Sequence, residues 1–145
     1  MNRIRTRLIA SGLTALLGAG LGCGNEATAP AMPGAAITSL TTPNADDGAI
    51  LVTVTGPGLA NVQPAGSGYL VFWRLVSPQE VRALVVGDLG SGPLFTVDVP
   101  DLRRVGEYSG TVVEAASRAD AVRVGVSGYA VKLAGPSALA AQAAP

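Results

Sequence analysis

The chain holds 145 residues, enough for one domain and short of two; 48% are hydrophobic and only 14% charged, so a core can be buried. Its formal net charge is zero, and setting aside Arg3, Arg5 and Arg7 leaves seven basic residues against ten acidic ones, a net of −3. That balance argues against a nucleic-acid partner, which needs a basic stripe to displace counterions, and the absence of histidine removes Ser-His-Asp and Cys-His catalysis and every His-containing zinc site.

The N-terminus "MNRIRTR" is positive, and "LIASGLTALLGAGLG" over residues 8–22 is apolar but broken by Gly12, Gly18, Gly20 and Gly22. A spanning helix needs about 20 apolar residues. Residues 1–22 are therefore predicted to be an export signal containing a short helix. An ordinary peptidase could cut near Ala27-Thr28-Ala29, but Pro30 would follow the cut, a position such sites disfavour. Cys23 directly after Gly22 is the better end point, because the stretch resembles a bacterial lipoprotein signal, although Gly20 stands where those signals usually carry leucine. The resemblance implies acylation of Cys23, by palmitate among other chains, and attachment to a membrane; Gly24 resembles the pattern of lipoproteins sent to an outer membrane. Plain secretion is the alternative. Cys23 is the sole cysteine, so no disulfide can form within the chain. Residues 23–36, rich in Ala, Pro and Gly, read as a lipidated flexible tether, and residues 134–145 as a disordered tail.

Between them, residues 37–133 alternate with period two. "AILVTVTG" sets Ile50, Val52 and Val54 against Leu51, Thr53 and Thr55; "YLVFWRLV" sets Tyr69, Val71, Trp73 and Leu75 against Leu70, Phe72, Arg74 and Val76. "VRALVVG", "PLFTVDVP", "YSGTVVEAA" and "AVRVGVSGYAVKL" continue the series, the last with Val122, Val124 and Val126 opposite Arg123. Runs of β-branched residues bounded by turn formers predict strands. The fold class is thus all-β, an antiparallel β-sandwich of about seven to nine strands. Trp73, Val85, Val97 and Val124 are expected in the core, and "YLVFWRLV", with one charge, in the middle of a sheet, since an edge that apolar invites aggregation.

The segment "VVGDLGSGPLFTVDVPD", residues 85–101, resembles the middle of cohesin-like domains, where a glycine-rich turn precedes a strand opening on Gly-x-Leu; here that is Gly92-Pro93-Leu94. Residues 37–133, ending in "GYAVKL", also resemble short domains on exported bacterial lipoproteins. The resemblance implies a jelly-roll-like or Ig-like sandwich, shared with carbohydrate-binding modules. No element aligns with a dockerin-contacting surface.

Without histidine or a free thiol, the remaining catalytic chemistry is a carboxylate pair, as in glycoside hydrolases; Asp88, Asp98, Asp101, Glu107 and Glu114 show no such pattern and read as caps and solvated strand faces. "GDLGSG", residues 87–92, lacks the phosphate-loop spacing and precedes a strand, so it reads as a glycine turn. "PNADDG" gathers Asn44, Asp46 and Asp47, oxygen ligands of the kind calcium uses, yet too few for its six to eight; a turn held by its own side chains is the favoured reading. Tyr69 and Trp73 share a strand face and could form a sugar platform, but Val71 and Leu75 share it too, which favours core packing. Phe72 and Arg74 are then the outward candidates for a ligand or partner. The expectation is a lipid-anchored, non-enzymatic binding or adhesion module of the cell envelope that contacts a protein or a glycan and carries no cofactor. The alternative is a carbohydrate-binding accessory or a carboxylate-based surface hydrolase.

Overall fold

The computed structural model describes residues 29–136. The predicted signal helix, Cys23 and the last nine residues of the tail lie outside them. The chain is all-β, with strands β1 Gly34–Thr41, β2 Asp47–Thr55, β3 Val62–Pro64, β4 Tyr69–Ser77, β5 Glu80–Leu89, β6 Gly92–Val99, β7 Ser109–Ser117 and β8 Ala130–Ala134. A 3-10 segment, Leu102–Glu107, links β6 to β7. The eight strands form one antiparallel sheet in the order β3-β6-β1-β8-β7-β2-β5-β4, wrapped nearly into a barrel. Opposite walls of that wrap pack on each other as the two layers of a sandwich would.

Alternation explains the core. Ile50, Val52 and Val54 of β2 and Val81, Ala83 and Val85 of β5 are fully buried, while the residues between them turn outward. In β6 the pattern breaks usefully. A register shift between Thr38 and Ser39 of β1 opposes Thr38 to Phe95 and Ser39 to Pro93, and this bulge lets Leu94 and Phe95, neighbours in sequence, both enter the core. Burying the Phe95 ring contributes about 2–3 kcal/mol.

Two glycines are required by close approach. A Cβ on Gly110 would strike Val131 where β7 meets β8, and one on Gly56 would strike the Tyr108 ring. Tyr108 lies across that turn and donates its hydroxyl to the Pro57 carbonyl at 2.7 Å.

Four expectations are corrected. First, β4 is not central: it ends the sheet order and pairs only with β5. Trp73 is consequently 40% exposed, whereas Val85 and Val97 are buried as expected. Second, "AVRVGVSG" is not a strand. It is a turn-rich loop with one isolated bridge, Ala116 to Val122, because Arg123 is drawn to a buried carboxylate; Val124 projects fully into solvent. Third, β1 begins at Gly34, inside the expected tether, and Ala36 is buried because its strand pairs with β6. Fourth, residues just before it are held too. Leu102 donates its N–H to the Met32 carbonyl at 2.8 Å, the Met32 N–H donates to Asp101 Oδ1 at 3.2 Å, and Arg103 Nη2 donates to the Ala29 carbonyl at 3.0 Å.

One core group is unsatisfied: the Thr38 hydroxyl is buried without a hydrogen-bond partner. A stranded buried hydroxyl costs about 1–3 kcal/mol. Thr38→Val is expected to raise the unfolding free energy by about 1 kcal/mol in urea denaturation, while Phe95→Ala lowers it by about 3–5 kcal/mol.

Candidate functional site

The strand that sequence singled out for its aromatics is the one the fold leaves uncovered. In β4 only Tyr69 and Val71 are partly buried, packed against the core; Leu70 and every residue from Phe72 to Ser77 are exposed. Tyr69 and Trp73 share the inward face, but Tyr69 is packed and Trp73 emerges where no strand covers it. Phe72, 61% exposed, and Arg74 lie on the outward face. Phe72, Trp73 and Arg74 line one shallow depression with Leu51, Arg82 and Leu84, although Trp73 belongs to the opposite strand face from the other two, and Tyr69 packs against the core apart from them.

Cross-strand register extends the outward face. Phe72 lies beside Leu84 of β5, Leu84 beside Leu51 of β2, and Leu51 beside Glu114 of β7. The adjoining row runs Leu70, Val86, Ala49, Ala116. Two shallow depressions join across Leu51 and Leu84, one reaching Phe72, Arg74 and Arg82, the other Ala49, Glu114 and Ala116. This is a contiguous apolar surface with charge at its margin, the makeup of a contact face more than of a reaction cleft. Leu51 and Leu84 were missed in the sequence reading. Their signal was there: "AILVTVT" and "VRALVVG" are apolar at off-face positions where a solvated sheet would carry polar residues.

A second constellation sits at the other end of β2. Asp47 is fully buried, and its carboxylate accepts from Thr42 Oγ1 at 2.5 Å, Tyr129 Oη at 2.9 Å, and Arg123 Nη2 and Nε at 2.8 and 3.0 Å. Asn44 Nδ2 donates to Tyr129 Oη at 2.7 Å, and Arg123 Nη2 also reaches Asp46 Oδ1 at 2.6 Å. Thus Asn44, Asp46 and Asp47, the oxygen ligands weighed for calcium, surround a tyrosine and a guanidinium. Among the described residues no group of three or more His, Cys, Asp or Glu gathers as a metal would require. The knot ties the β1–β2 loop to the segment before β8.

Burial pushes the Asp47 carboxyl up, but the hydrogen bonds from Thr42 and Tyr129 and the Arg123 guanidinium outweigh it and hold the group below the usual carboxylate range. Asp101, paired with Arg103 Nη2 at 2.7 Å and capping the 3-10 segment, is lowered by that side-chain bond above all. The other carboxylates with partners are scattered: Asp88 holds Arg118, and Glu107 holds Arg104.

Because the folded Asp47 ionises below its ordinary value of 3.8, its contribution is present above that pH and is lost as pH falls toward the lowered value. The same sign holds for Asp101. Thermal unfolding should therefore show a melting temperature that is level at neutral pH and drops on acidification below about pH 4. Removing the buried carboxylate in Asp47→Ala, which leaves Arg123 with Asp46 alone and Tyr129 without its acceptor, is expected to cost about 3 kcal/mol and to flatten that acid slope.

No protein-family model, curated protein or solved structure matches this chain.

Proposed function

We propose that the chain is a non-enzymatic binding module of the cell envelope, anchored by lipid on Cys23, which contacts a protein through the outward face of β4, β5 and β2. The observation that carries the contact reading is the row Phe72, Leu84, Leu51, an apolar track across three adjacent strands that ends on an exposed strand. Releasing water from such a track is the driving force for association.

The anchor rests on the basic residues 3–7, the apolar stretch 8–22 and the Gly22–Cys23 junction, all outside the described residues. The chain from Cys23 to Ala29, the first residue bonded to the domain, spans at most about 20 Å. A lipid on Cys23 would hold the domain close to the bilayer, with the 3-10 segment on the membrane side.

Protein is favoured over polysaccharide as the ligand because a sugar chain stacks on aromatics that share one open face. Phe72 and Trp73 point to opposite faces, and Tyr69 packs inward. Hydrolysis needs a protonated carboxyl opposite a charged one. Asp88, Asp101 and Glu107 instead each hold a different arginine, which supports the non-enzymatic reading.

Two measurements check this proposal. Cys23→Ala is expected to move the protein from the membrane to the soluble fraction and to remove the mass of the acyl chains; a wild-type chain recovered soluble with residues 1–22 attached would overturn the anchor. On a glycan array the wild-type chain should show no saturable retention, and retention that Trp73→Ala abolishes would replace the protein ligand with a sugar.

A further inference from the structure

The sheet stops short of closing, and the manner of its stopping specifies what can finish it. β3 and β4 are the two end strands of the order, and among the described residues no ladder joins them. β3 has three residues and ends on Pro64, which has no N–H to give; β4 has nine. Along most of its length β4 therefore presents an unpaired row of N–H and C=O groups. Beside that row the inward-facing Trp73 and Leu75 are 40% and 47% exposed, although their partners on β5, Ala83 and Val81, are fully buried. β4 thus has no ladder partner on this side, although its backbone comes within 8 Å of β3. The devices that usually blunt such an edge, Lys, Pro or inward-pointing charge, are absent from Tyr69–Leu75.

Charge then selects the occupant. Arg74 is the one charged residue of β4, and it lies in register with Arg82 of β5. Arg82 is neutralised by Glu80 at 3.0 Å, while among the described residues Arg74 has no ion pair. A second copy pairing through its own β4 would bring a second arginine and no carboxylate.

We propose that an extended segment of another protein, apolar on one face and carrying a carboxylate in register with Arg74 on the other, adds to the unpaired edge of β4 along Leu70–Leu75. The apolar side chains would cover Trp73 and Leu75, and the carboxylate would sit on the outer face, where directly opposed residues lie about 5 Å apart at Cβ. This deepens the protein-binding reading above and rests on it: the outward track supplies area, and the open ladder supplies direction and register.

The test uses the full chain in detergent and a synthetic peptide of about seven residues, an ordinary strand length. The peptide alternates valine with threonine and has glutamate at its centre. Three companions are compared: a twin with lysine at the centre, a version N-methylated at alternate residues, and the Arg74→Glu protein. The glutamate peptide is expected to slow amide exchange at alternate residues of Leu70–Leu75 and to bind about three- to tenfold tighter than its lysine twin. N-methylation should abolish the protection, and Arg74→Glu should reverse the preference. Unchanged β4 exchange at millimolar peptide, or equal affinity for the two twins, overturns the proposal. So does a peptide-free dimer with protected β4 amides, which would give the edge to a second copy. Peptide binding that Phe72→Ser weakens while β4 exchange stays unaltered also sinks strand addition, yet leaves the outward contact face standing; sugar retention on the array would instead remove the protein ligand itself.

Discussion

A wrapped sheet closes only if its first and last strands pair, and here they do not. The three residues of β3 approach the nine of β4 without a ladder, and within the sheet the pairing is thinnest between β7 and β8, which meet only at Gly110 and Val131. The consequences spread from the gap between β3 and β4. Walls built from β1, β2, β5 and β6 enclose a core around Phe95, Ile50 and Val97. At the gap, residues of the same inward parity stay wet, and a strand with the composition of a core strand becomes a rim.

The two most strongly held carboxylates serve the ends of this wrap. Asp47 pulls Arg123 and Tyr129 across from more than seventy residues away, closing the end where the β1–β2 loop lies. Asp101 gathers Arg103 and the Met32 N–H, so that the chain entering β1 is clasped to the 3-10 segment. Asp47 is fully buried and Asp101 nearly so while their arginines stay partly exposed, so these pairs add little net stability over apolar packing but fix position, since a buried carboxylate without its partner is costly. The chain's few charges are largely used up in this positioning: Arg82, Arg103, Arg104, Arg118 and Arg123 all sit in pairs, and Arg74 is the exposed exception on the contact strand.

This division of labour gives the molecule its chemical character. Most arginines of the described residues are paired with carboxylates at separate places, and the outward face of β2, β4 and β5 is apolar with Arg74, Arg82 and Glu114 at its margin. The position of Ala29 and Met32 against the 3-10 segment also means that anything attached to the chain before residue 29 enters at a defined corner of the domain.

What the sequence determined by itself was local. Alternation in "AILVTVTG" set Ile50, Val52 and Val54 on one strand face, and Val85 and Val97 were expected in the core with Trp73 and Val124; the first five are buried, because a strand's two faces follow from backbone geometry alone, while Trp73 and Val124 are exposed. The all-β class followed in the same way, as did a range of seven to nine strands that contains the eight observed. The candidate site was half legible: "YLVFWRLV" stood out by composition, but whether its inward face met a neighbour depended on strand order. Only the tertiary structure placed that strand at an edge, exposed Trp73, set Leu84 and Leu51 beside Phe72, and turned "AVRVGVSG" from a strand into the loop that delivers Arg123 to Asp47. Those outcomes are pairings between residues far apart in the chain. Periodicity says which way a side chain points and nothing about which strand will lie next to it.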